Sequence, residues 1–203
     1  MATALFRTAL AALIVTITSV AEATAGDGFV KDVTVQVLAA PGIADDTLAK
    51  AIAIVARVYQ AFGVRLQMSD SAAPPADGLT PWRRVVVKSS ATKEFPSAFG
   101  SSHVMGISPR NGDAPGRIGY VFFDAVSQTA KRNDLPVYML LGYAMAHELG
   151  HLLLPTDAHG KGGVMRANWD ANDMRLMRLG RLGMEDREVV RLQHYLDSLN
   201  PSK

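Results

Sequence analysis

Apolar and polar positions first alternate at Val33-Thr34-Val35-Gln36-Val37-Leu38, the period of a half-buried strand. Pro41-Gly42 breaks the pattern. Asp45 or Asp46 is then placed to cap a helix whose apolar stripe is Leu48, Ile52, Val55, Val58 and Tyr59. That stripe runs to about Phe62, and Gly63 ends the helix. Val64 to Met68 reads as a second strand, so the β-α-β order predicts parallel pairing through a right-handed crossover. Residues 70–81, rich in Pro, Ala, Asp and Gly, read as a loop. Val85-Val86-Val87 is a third strand. Residues 100–119 are rich in Gly, Ser, Pro and Asn and predict a long loop at the rim of a site. Tyr120-Val121-Phe122-Phe123 is apolar throughout, which places it inside the sheet.

The second half is helical in pattern. Asp124 to Arg132 is a short helix. Leu135-Pro136 opens a long one, with Pro suited to the first turn. It passes through Tyr138, Leu141, Met145 and Leu149 to about Leu154, where Pro155 forbids continuation. A Gly-rich turn follows, then a helix near Ala171 to Leu179. An amphipathic helix from about Glu185 to Leu199 closes the chain, with Val189, Leu192 and Leu196 as its buried face. The expected fold is α+β: a twisted mixed sheet of about four to five strands, a long central helix and C-terminal helices. No internal repeat or domain boundary interrupts it.

Met1 to Ala25 has the pattern of a secretory signal peptide: Arg7, then the apolar stretch Leu10 to Ile17, then Ala23-Thr24-Ala25 as a small-x-small cleavage site. The alternative is an uncleaved anchor, but the apolar run is shorter than the roughly 20 residues that span a bilayer. One exported domain, residues 26–203, is therefore expected, secreted or periplasmic, without stable membrane insertion.

Composition narrows the chemistry. The chain has 203 residues, 48% of them hydrophobic and 20% charged, enough to build a sizeable core. Its net charge of +2, without a Lys/Arg run, does not suit a nucleic-acid binder. With no cysteine, thiol nucleophiles, disulfides and Cys-bound zinc are excluded. Any metal must be held by His, Asp or Glu.

Three of the five histidines fall between His147 and His159. His147-Glu148-Leu149-Gly150-His151 is an HExxH motif on the long helix. Residues four apart lie on one helix face, about 6 Å apart along the axis, so two imidazoles converge on one ion. Glu148 projects about 100° away from His147, on the edge of that face, where it reaches a water at the metal rather than the metal itself. Burying two histidines and a glutamate in so apolar a helix costs several kcal/mol without a partner, and a cation satisfies all three. Pro155 turns the chain, and His159 returns as the expected third ligand. Asp157 competes for that position. Glu148 is the candidate general base.

From Gly119 to Trp169 the chain resembles the metzincin clan of zinc metallopeptidases. The likeness rests on HExxH in a long helix, a following turn, a third His or Asp, and Gly162-Gly163-Val164-Met165 in the place of the downstream methionine turn. The resemblance implies a metzincin-like fold, a zinc ion on His147, His151 and His159, Met165 beneath them, and hydrolysis of peptide or protein substrates. The sequence departs from the clan in three respects. The usual spacing to the third ligand falls on Asp157. Leu154-Pro155 stands where the clan has a glycine turn. Arg166-Ala167-Asn168-Trp169 carries no tyrosine after the methionine turn. The window is also similar to small exported bacterial proteins with HELGHLLL and a His eight residues on, which favours His159. A different arrangement, with a glutamate ligand from a later helix, has only Glu185 and Glu188 to draw on. The rival function is a non-catalytic exported zinc-binding module, a closed structural site or a pseudoprotease.

Overall fold

The computed structural model describes residues 31–71, 73–76, 80–98, 100, 103–110, 112, 114–155 and 159–199. The signal-peptide reading and Asp157 lie outside them. Among the described residues, five strands and five helices follow in the order β1 (Lys31–Ala39), α1 (Asp45–Gln60), β2 (Val64–Met68), β3 (Trp82–Lys88), β4 (Gly106–Ile107), β5 (Ile118–Phe122), α2 (Phe123–Arg132), α3 (Val137–Leu153), α4 (Ala171–Arg178) and α5 (Asp186–Leu199). The fold is α+β, with one five-stranded mixed sheet in the order β2-β1-β3-β5-β4.

β1 pairs β2 in parallel, Lys31 opposite Val64 and Val35 opposite Met68, as the crossover predicts. β3 joins the other side of β1 in parallel, and β5 joins β3 in parallel. Only β4 runs antiparallel, against β5. The period of two is visible in the packing. Val33, Val35, Val85, Val87 and Val121 are buried in one core with the apolar stripes of α1 and α3. A smaller cluster gathers Phe95, Ala98, Phe122 and Ala125. Phe95 meets Phe122 edge-on at 5.4 Å and Tyr120 at 4.7 Å.

Two capping expectations change. Ala44, not Asp45 or Asp46, is the N-cap of α1, and no side chain caps it. The two aspartates sit inside the first turn, where their charge favours the positive end of the helix dipole. Pro136 is the N-cap of α3, one position before the first turn. The residues expected as a rim loop also contain β4, and the strand read as Tyr120–Phe123 begins at Ile118 and yields Phe123 to α2.

Two contacts fix α3. At Gly142 it crosses α1 so closely that a Cβ would lie 2.8 Å from both the Ala51 carbonyl oxygen and Ile54 Cβ. At its other end, Arg83 of β3 reaches inward with only 6% of its surface exposed. Its Nε donates to the Leu152 carbonyl at 2.7 Å, one guanidinium nitrogen to the Trp82 carbonyl at 2.8 Å, and the other to the Tyr195 hydroxyl at 3.2 Å. A cation at the carbonyl end of a helix is favoured by the dipole and satisfies an orphan acceptor. Burial holds the Arg83 guanidinium below its ordinary range.

Candidate metal centre

The central stretch of α3 is apolar on nearly every side, so His147 and Glu148 are carried into the interior, while His151 is half-buried near the helix end. His159 lies exposed at the mouth of the same cleft. The ligand atoms of His147, His151 and His159 lie within 4.8 Å of one another. The Nε2 atoms of His147 and His151 face each other at 3.0 Å. The His159 ring stacks on His147 at 5.3 Å and stands edge-on to His151 at 4.9 Å.

The donor set suits a cation. His147 Nδ1 lies 2.7 Å from the Val164 carbonyl, so the ring proton belongs on Nδ1 and the Nε2 lone pair faces the other imidazoles. Burial lowers His147 to about 4. Burial, and then the neighbouring imidazoles, lower His151 to about 3. Both rings are therefore neutral near pH 7, which is the form that binds a metal.

Val164 and Met165 lie against this helix. Met165 is fully buried, and a Cβ at Gly150, between the two helix histidines, would overlap its sulfur and lie 2.9 Å from its methyl. The turn that delivers it is held by Gly160 N to Met165 O at 2.7 Å and Val164 N to Gly183 O at 2.8 Å. Gly163 takes φ +69°, and a side chain there would strike the Gly183 carbonyl. Trp169 packs edge-on against His147 at 5.8 Å and donates from Nε1 to the Gly163 carbonyl at 3.2 Å.

Glu148 is 5% exposed and lines the same cleft, of about 410 Å³, together with the three histidines, β4 and residues 166–169. Burial pushes its carboxyl up to about 8, against a smaller downward pull from Ser108. Ser108 follows β4 directly, and its hydroxyl meets Glu148 Oε2 at 2.8 Å. Sequence reading did not single out Ser108 or the Val164 carbonyl. Neither belongs to a spaced motif, and each reaches the site only through tertiary packing. His103 is exposed and lines the cleft. His194 is exposed on α5. The described residues contain no helix long and apolar enough to cross a membrane.

No family model matches this chain. No curated protein matches it either. Among solved structures, the chain is similar to the crystal structure of archaemetzincin from Methanopyrus kandleri, with a TM-score of 0.48 and 16% sequence identity over 82% of this chain and 96% of that one.

Proposed function

We propose that the chain is an exported zinc-dependent endopeptidase, with His147, His151 and His159 as metal ligands, Met165 beneath them and Glu148 as general base. The observation that carries this reading is the meeting of three imidazoles with a buried carboxylate in one open cleft. The metzincin-like motif between Gly119 and Trp169 agrees with it.

Zinc held there supplies a Lewis acid that lowers the pKa of water to about 7 and polarises a carbonyl. The chain's own residues do the rest. The Val164 carbonyl holds His147 in the tautomer that points Nε2 inward. Trp169 holds the ring from its edge. Glu148 takes a proton from the water that attacks the peptide carbonyl and returns it to the departing amine. Glu148, raised by burial, would be returned toward its ionised form by a cation held on the three imidazoles. β4 is the outermost strand on the cleft side, and its main chain is placed to align an extended substrate by strand addition.

The test is metal analysis and a peptide-library assay on the purified chain. One zinc per chain is expected, with hydrolysis abolished by chelator and restored by zinc. A fully zinc-loaded protein that cleaves no peptide would overturn the reading.

A further inference from the structure

A general base must present one carboxylate oxygen to its substrate in a fixed direction through a cycle of protonation. Glu148 sits on a helix edge where rotation about its χ angles would carry the carboxyl away from the histidines. On the peptidase reading above, we infer that Ser108 is the positioning residue that prevents this, holding Oε2 and leaving Oε1 to exchange the proton.

The hydroxyl of Ser108 lies 2.8 Å from Glu148 Oε2 and 3.1 Å from the main-chain oxygen of the same residue. A hydroxyl has one proton and two lone pairs. That proton is placed to go to Oε2. With Oε1 as the oxygen that exchanges the proton, Oε2 remains an acceptor for this hydrogen bond throughout, and the main-chain oxygen stays within reach of the same hydroxyl. The second anchor point, on the backbone of α3, ties the hydroxyl to the helix that carries the histidines.

The surroundings are built for this pair. A Cβ at Gly119 of β5 would stand 2.7 Å from Ser108 Oγ and 3.3 Å from Glu148 Cβ. A Cβ at Gly106 of β4 would overlap Glu148 Oε1 and stand 2.7 Å from Cδ. Two strands thus withhold side chains where the carboxyl and the hydroxyl meet. The two glycines leave the room that Glu148 and Ser108 occupy in this orientation.

Two measurements test the inference. The first is independent of zinc and of activity: a double-mutant cycle of Ser108→Ala and Glu148→Ala, read by denaturant unfolding of metal-free protein. The two changes should couple by about fivefold or more in the unfolding equilibrium constant. Additivity within about twofold would overturn the inference. The second is steady-state kinetics on zinc-loaded protein. Ser108→Ala should lower kcat by about tenfold or more with little change in KM and an unchanged zinc content, and Ser108→Thr, which keeps the hydroxyl, should recover most of the loss. Wild-type kcat in Ser108→Ala would overturn it, as would equal losses in the Ala and Thr variants. If zinc-loaded wild type hydrolyses no peptide, the peptidase reading fails, and the coupling alone decides whether Ser108 holds Glu148.

Discussion

Glu148→Gln separates the chemistry of the site from its cost to the fold. The carboxyl is 5% exposed, and its only polar side-chain partner among the described contacts is Ser108. In metal-free protein, burial raises it from 4.5 to about 8. Between those two values the folded protein holds a proton that the unfolded chain releases. Stability therefore falls as pH rises through this window. At about 1.4 kcal/mol per tenfold, the loss between pH 5 and pH 8 is about 3 kcal/mol. Glutamine has the same shape, keeps a hydrogen bond to Ser108 and carries no charge, so the variant should lack this slope. His147 and His151 act in the opposite sense. Their folded values of about 4 and about 3 lie below the ordinary 6.5, so both proteins should lose stability as pH falls below that point. The assay is urea unfolding of chelator-treated protein at several pH values. Wild type should weaken at both ends, and Glu148→Gln only at the acid end. Loaded with zinc, the variant should keep the metal and lose hydrolysis by at least about 100-fold. Parallel stability curves for the two proteins from pH 5 to pH 8 would refute the burial argument, and full hydrolysis by the variant would refute the role of Glu148.

Two further substitutions probe the frame around the site. Gly142→Ala would ordinarily favour a helix by about 1 kcal/mol, but here the new methyl meets the Ala51 carbonyl and Ile54 of α1, so a net loss of about 2 kcal/mol is expected by thermal or urea unfolding. Arg83→Ala leaves the Leu152 carbonyl without its donor and opens a void between β3, α3 and α5, and should cost about 3 kcal/mol in the same measurement.

Most elements were legible because their signals are local. The stripe from Leu48 to Tyr59 and the alternation from Val33 to Leu38 state their own period, and β1, α1 and β2 lie where that period puts them. The three histidines could be proposed as one group because two share a helix face and the third follows a forced turn. β4 was invisible for the opposite reason: two residues have no period. The apolar run marks only Val85 to Val87 of β3, while the strand spans Trp82–Lys88 and includes Arg83 and Arg84. In the structure they point to opposite faces, Arg83 to the end of α3 and Arg84 to Gln36, with its guanidinium 4.9 Å over the Trp82 ring. Ser108 meets a residue 40 positions away, a contact that no spacing rule encodes. The same holds for Ala44, where the first turn closes without the side-chain cap that two neighbouring aspartates suggested.

The shortness of β4 has a consequence for the behaviour of the molecule in concentrated solution. An unpaired strand is a template on which other chains can stack and grow into fibrils. Here the margin beside the cleft is two residues long and starts at a glycine, too brief a lip to seed lateral growth. The cleft can stay open on this side without the β4 margin becoming a nucleus for aggregation; the opposite edge, β2, is the longer one.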